Sequence, residues 1–224
     1  MTDFVVWGVT ASPFLLKMQS LLTYARFTWQ RWPEQAPTTA GAAMALRLNR
    51  AKKEQRVRRF PSMSTLGEYP SVPFYTQDQQ SFYYDSSALA RQLDQHPRRS
   101  APPLVPEDPA LACMCQMIDD GLDEFGLYMV HHMRWVGSAR STRMGDRTAR
   151  EFGLLGLPPL RGFIARALYR RQVRRCPYLF SVAPAGFTAA VPAERTPPSR
   201  PGFPPTHELL ESAWRACLAA LEDL

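Results

Sequence analysis

The apolar positions of this chain fall into a few distinct spacings. Phe4 to Val9, FVVWGV, is a continuous apolar run, the pattern of a strand buried on both faces. Phe14, Leu15, Met18, Leu21, Leu22 and Ala25 then recur three and four residues apart, which is one face of a helix. FTWQRW, Phe27 to Trp32, is rich in aromatics and reads as a second strand. Strand, helix and strand in that order predict a βαβ unit with parallel strands. From Pro33 to Glu68 the pattern blurs, and Ala, Leu, Lys and Arg content predicts a helix through Ala42 to Arg59. VPFYT and SFYYD flank QDQQ and should pair antiparallel. Asp85-Ser86-Ser87, followed by Leu89 and Leu93, marks another helix start. The expected sheet is mixed, with strands Phe4–Val9, Phe27–Trp32, Val72–Thr76 and Phe82–Tyr84 and helices on both faces.

Proline ends this pattern. DQHPRRSAPPLVPEDPA, Asp94 to Ala110, breaks all periodicity and reads as a linker. The expected organisation is an α/β domain over 1–94, a linker over 95–109 and an all-helical domain over 110–224. In that second half Met114, Met117, Ile118, Leu122 and Phe125 share one face of a long helix, with Gly121 and Gly126 as weak points. Ala149 to Val173 predicts more helix, interrupted at Pro158-Pro159. A second proline-rich stretch, Ala183 to Pro205, precedes a last helical pattern with Leu209, Leu210, Ala213, Leu218 and Leu221 on its buried face. No internal repeat is evident.

Composition narrows the class. The chain has 224 residues, 45% of them hydrophobic and 21% charged, as expected of a soluble globular protein with one or two domains. No apolar run reaches the ~18 residues of a membrane span, and the first residues lack the pattern of a signal peptide. Cys113, Cys115, Cys176 and Cys217 include no second close pair, which argues against a zinc site and a disulfide framework. A reducing, cytoplasmic setting is the expectation. The formal charge of +7 attracts anions in general. Much of it lies in LRLNRAKKEQRVRRF, where Arg47, Arg50, Lys52, Lys53, Arg56, Arg58 and Arg59 face only Glu54. No aromatics interleave this run to stack bases, so it reads as a solvated helix flank rather than a nucleic-acid patch.

One short segment carries candidate chemistry. Thr10-Ala11-Ser12-Pro13 sits where the first helix begins after a buried strand. Backbone N–H groups and the positive end of the helix dipole meet there, and a hydroxyl beside them favours an anion such as a thiolate. The plain alternative is Ser12 as an N-cap with proline next to it. Asp120, Glu124 and His131 could share a helical face, but no second ligand-bearing helix is evident. They read as polar cleft or interface residues, and no metal is expected.

The order βαβ, α, ββα, with a Val-Pro opening the third strand, YDSSAL opening the last helix, a proline-rich linker and a helical second half, resembles the glutathione transferase superfamily in its bacterial type. The resemblance runs from Asp3 to His132, is most specific over Ser71 to Leu93 and fades after Trp135. DEFGLYMVHHMRW is similar to the first long helix of the second domain in some bacterial members. The resemblance implies a thioredoxin-like α/β domain followed by an all-α domain, acting as a glutathione transferase or a related glutathione-dependent lyase or isomerase, with glutathione as co-substrate and a small electrophile beside it. It implies a cis Val72–Pro73 bond, with the Val72 backbone pairing with the cysteinyl unit of glutathione. It implies that Asp85 and Ser86 meet the γ-glutamyl end, as negative partner and as donor. Ser12 stands where members with CPF carry cysteine, so the resemblance gives it the sulfur, with Thr10 as the alternate. A serine cannot form a mixed disulfide, which argues against thiol-transfer and dehydroascorbate-type redox chemistry. Phe14, Tyr128, His131, Arg134 and Trp135 would border the electrophile. A homodimer is implied, in which the basic face of Arg47 to Arg59 could meet Asp119, Asp120 and Asp123. One departure stands out: the family's late Ser/Thr-x-x-Asp capping box is not found before Leu224. That leaves open a shortened or rebuilt second half, and with it a non-catalytic binding or structural module of the same fold. A nucleic-acid partner rests on charge alone.

Overall fold

The computed structural model describes residues 2–59, 73–132, 134–135, 143–151 and 158–173, with isolated helical positions at 212, 215, 216 and 219. Its elements are β1 (Phe4–Trp7), α1 (Pro13–Tyr24), β2 (Trp29–Trp32), α2 (Thr38–Lys53), β3 (Arg58–Arg59), β4 (Phe74–Thr76), β5 (Tyr83–Tyr84), α3 (Ser86–Asp94), α4 (Pro109–His132), α5 (Met144–Glu151) and α6 (Pro158–Val173). The chain divides into two units. One holds Met1–Asp119 with Arg150–Pro158, the other Asp120–Ala149 with Pro159–Leu224.

In the first unit five strands form one mixed sheet in the order β2-β1-β4-β5-β3. β1 and β2 are parallel, as the βαβ reading requires, and β4 pairs antiparallel with both β1 and β5. The continuous apolar run works as expected, because successive side chains of a strand point to opposite faces. Phe4 and Val6 pack with Leu15, Met18 and Leu22 of α1 and Leu89 and Leu93 of α3. Val5 and Trp7 pack on the other face with Trp32, Phe74, Phe82 and Met44, Leu48 and Ala51 of α2. Burying both faces of so short a strand fixes its register, since a one-residue slip would exchange the two sets.

One expectation needs correction. The basic segment is not one helix through Arg59: α2 ends at Lys53, Gln55 takes a positive φ of 54°, and the chain turns into β3. Arg58 and Arg59 then pair parallel with Tyr83 and Tyr84, a strand that no apolar pattern announced. Along α4, Leu111, Met114, Met117 and Ile118 are exposed. The predicted Val72–Pro73 cis bond lies outside the described residues, as do Cys176, Cys217, the proline-rich stretch 183–205 and most of the last helical pattern. Among the described residues the cis peptide is Trp32–Pro33, and no helix is long and apolar enough to cross a membrane.

The second unit contains a close helix crossing. A Cβ on Gly145 of α5 would sit 2.6 Å from the Ala165 carbonyl oxygen of α6, so only glycine allows this approach. Arg161 Nε donates to Asp146 Oδ1 at 2.8 Å and ties the same two helices.

His96, just beyond α3, gives the first unit a pH-sensitive joint. Its ring meets Phe27 edge-on with centroids 4.7 Å apart, and its Nδ1 accepts the Arg98 N–H at 3.2 Å. Burial and the Arg98 guanidinium lower its pKa from the ordinary 6.5, against the opposing Asp3 carboxylate. A histidine kept neutral in the fold stabilises fully above its unfolded pKa, and that contribution is lost as pH falls through the lower folded value. Denaturant midpoints measured from pH 7 to pH 5 should therefore decline in the native chain. His96→Phe, which keeps the ring on Phe27, should flatten that slope. Asp3, held at about 2 chiefly by the Thr28 hydroxyl, acts in a separate window at lower pH.

Candidate functional site

Strand register gathers the candidate residues of the first unit at one edge of the sheet. Trp7 is opposite Phe74, and Phe74 is opposite Tyr84. Because β4 runs against both neighbours, the next position along is Gly8 after β1, Pro73 before β4 and Asp85 after β5. The segment leading to Ser12, the buried Pro73 and the Asp85-Ser86 pair thus leave the sheet side by side. The N-termini of α1 and α3 belong to the same edge, and these helices pack against each other.

Ser12 is the N-cap residue of α1, with Pro13 at the first helical position. Its backbone is extended, φ −90° and ψ 120°, and its N–H donates to the Val9 carbonyl at 2.9 Å. Its hydroxyl makes no capping hydrogen bond, so the plain N-cap role does not use this side chain. Thr10 differs. Its N–H donates to Glu151 Oε2 at 2.6 Å and its hydroxyl donates to Glu151 Oε1. A threonine hydroxyl has one proton to give, and here the carboxylate takes it. Glu151 has no signal in the sequence: it is a charged residue at the end of a helix whose partner is 141 positions away.

Asp85 combines a cap with strain. Its Oδ1 accepts the N–H groups of Ser87 and Ala88 at 2.9 and 3.0 Å, satisfying two donors at the start of α3. Its φ of 78° with ψ 117° is not the extended backbone of an ordinary N-cap. Such an outlier in a non-glycine residue costs of order 1–3 kcal/mol and persists only where its surroundings demand it. Ser86 follows as the first residue of α3 and is only 4% exposed. Asp85 is the cap, and Ser86 is already inside the helix.

A polar network borders the α3 start. Lys17 Nζ lies 2.5 Å from Asp119 Oδ1 and donates to Ser87 Oγ at 3.2 Å. The Ser87 hydroxyl donates to Asp119 Oδ2 at 2.6 Å. Asp119 is therefore used within the chain, and so is Glu54, which pairs with Arg50 and Arg56. Below the site, burial first and then the Asp85 carboxylate push the Tyr75 hydroxyl up from its ordinary value. It stays protonated and donates to Gln92 Oε1 at 2.8 Å.

The residues expected around an electrophile belong to both units. Phe14 is half-buried on α1 of the first unit. Tyr128 and His131 lie on α4 in the second unit, and their side chains are outside those described, as is all of Val72. In that unit Arg134 is half-buried, its pKa lowered by burial and by Arg147, and Trp135 is 5% exposed. Among the described residues no group of three or more His, Cys, Asp or Glu is arranged to hold a metal ion.

Replacing Asp85 separates its cap from its charge. Asp85→Asn keeps a capping oxygen and a residue that tolerates positive φ, so urea unfolding should find it within ~0.5 kcal/mol of the native chain. Asp85→Ala loses the cap and keeps the strain, and should fall by about 1–2 kcal/mol. Asp85→Gly loses the cap but relieves the strain, and should come between them. Equal stability of the Ala and Asn variants would remove both the cap and the strain from the account.

No family model matches this sequence, and no curated protein matches it. Among solved structures, a trimeric glutathione transferase from Leishmania aligns with 95% of this chain at 14% identity and a TM-score of 0.39. The chain spans 42% of that protein's length.

Proposed function

We propose that this chain is a glutathione transferase-like enzyme, with a thioredoxin-like first half and a helical second half. It would bind glutathione at the sheet edge shared by Ser12, Pro73 and Asp85, and activate its thiol for attack on a small electrophile. The observation that carries the reading is the register of Trp7, Phe74 and Tyr84, which puts Gly8, Pro73 and Asp85 one position beyond the ends of neighbouring strands. Two strand spacings span roughly 10 Å, about the length of an extended tripeptide. The ends of that span differ in the right sense. Ser12 and the α1 N-terminus offer donors for a thiolate. Asp85 offers a carboxylate for an ammonium, and the start of α3 offers donors for a carboxylate. The Val72 backbone would hold the middle residue.

The chemistry needs little else. The bound thiol loses its proton to solvent, Ser12 donates its hydroxyl to the sulfur, and the thiolate attacks the electrophile. A bond from sulfur to carbon forms as the leaving group departs with its electrons. Thr10 is a poor alternate, because its proton is engaged by Glu151. A second reading, a non-catalytic module of the same fold, is favoured by the use of Asp85 Oδ1 inside the chain.

Calorimetry and turnover distinguish the two. Asp85→Asn should weaken glutathione binding by about 1.5–3 kcal/mol if its charge meets the ammonium. Ser12→Ala should leave glutathione affinity nearly intact but lower turnover with a general electrophile by about one to two powers of ten. Its stability should hardly change, because the hydroxyl caps nothing. Full turnover in Ser12→Ala would take Ser12 out of the mechanism, and tight glutathione binding without any turnover in the native chain would establish the module.

A homodimer belongs to this proposal. The apolar residues exposed along α4, Leu111, Met114, Met117 and Ile118, are a better candidate for its contact than the paired charges. Light scattering at micromolar concentration and moderate salt should give twice the chain mass; a monomer would sink the dimer and leave the glutathione site standing.

A further inference from the structure

Glu151 ends α5 and belongs to the same unit as the sheet. Both of its carboxylate oxygens are engaged by Thr10, one by the backbone N–H and one by the hydroxyl. Arg31 Nη1 lies 3.5 Å from Oε2, and Arg31 sits on β2 opposite Val6 of β1. The side chains of Arg31 and Glu151 are only 15% and 12% exposed, so water competes little for this ion pair. Arg31 is itself oriented by Glu34. The segment before α1 is thus fastened twice, by the Ser12 N–H on the Val9 carbonyl and by Thr10 on Glu151.

Thr10 precedes Ser12 by two residues, so whatever fixes Thr10 sets the direction in which Ser12 leaves the turn. We infer that Glu151 is a positioning residue for Ser12. It holds the turn that aims the Ser12 hydroxyl, and it engages the Thr10 proton so that Ser12 alone can serve an anion there. The inference rests on the glutathione reading for what Ser12 does, but not for what Glu151 holds.

The test uses the full chain carrying Glu151→Ala or Glu151→Gln, each with and without Ser12→Ala. The probes are amide exchange at Thr10 and steady-state kinetics with glutathione and a chlorodinitrobenzene. Glu151→Ala should speed exchange at Thr10 by more than about tenfold while distant core amides keep their rates. It should lower kcat about tenfold and change KM for glutathione less than about threefold. On the Ser12→Ala background the same change should cost less than about twofold, since the residue to be positioned is gone. Glu151→Gln should restore most of the loss, because its amide can accept the Thr10 N–H and donate to the Thr10 hydroxyl oxygen. Unchanged exchange at Thr10, equal losses in both backgrounds, or a Gln variant no better than Ala would each overturn the inference. A native chain that turns over no glutathione would end the transferase reading alone; exchange at Thr10 would still decide whether Glu151 holds the turn. Should Glu151→Ala fail to fold, Arg31→Met removes the other partner of the carboxylate. Faster Thr10 exchange is expected there too, and unchanged exchange again overturns the inference.

Discussion

The antiparallel pairing of Trp7 with Phe74 is the contact on which the rest of the first unit depends. It joins the βαβ segment to the hairpin across some seventy residues of sequence, and it sets which loops become neighbours. Had β4 joined β1 in parallel, Pro73 would leave from the opposite edge. Had the register slipped by one, Val5 and Trp7 would turn toward α1 and α3, and Phe4 and Val6 toward α2. Both cores would then have to be repacked. The bulk of Phe4, Phe74, Tyr75 and Phe82, all at 1% exposure or less, therefore does more than bury area. It makes a single register the only well-packed one, and the candidate site inherits its geometry from that choice.

Charge is arranged with the same economy. Two ion pairs flank the helix starts: Lys17 with Asp119 beside α3, and Arg31 with Glu151 beside the turn into α1. Each links elements far apart in sequence, and each also hydrogen-bonds a hydroxyl, Ser87 in one case and Thr10 in the other. Partly buried pairs of this kind contribute little net stability once desolvation is counted, yet they fix geometry, because breaking one leaves a charge without its partner. Their placement beside the two helix N-termini fits a role in holding loops rather than in holding the core.

The sequence was legible where the physics is local. FVVWGV declared a strand buried on both faces, the α1 pattern declared a helix, and Asp85-Ser86-Ser87 declared a helix start. β3 was illegible because Arg58-Arg59 has no apolar alternation; it is a strand only because Tyr83-Tyr84 presents an edge to pair with. Met114, Met117 and Ile118 share a helical spacing, but spacing cannot say that a face is covered, and this one is not. Ser12 could be identified as an N-cap, yet only the folded chain reveals that its hydroxyl does no capping. Glu151 was invisible because its meaning is a contact with Thr10, and no periodicity encodes a contact between a turn and a distant helix end.

The positive φ of Asp85 is the feature hardest to explain by folding alone. Capping α3 requires an acceptor near the N–H groups of Ser87 and Ala88, and an Asp with ordinary extended backbone supplies that without strain. Glycine at this position would remove the strain, at the cost of the cap. The chain keeps both a side chain and an unfavourable backbone in the turn between β5 and α3. The torsion alters the direction in which the residue leaves the strand, and so where its carboxylate stands relative to Pro73 and the start of α1. A conformation that folding could avoid, at the one edge where three loops and two helix N-termini meet, is better understood as positioning than as packing.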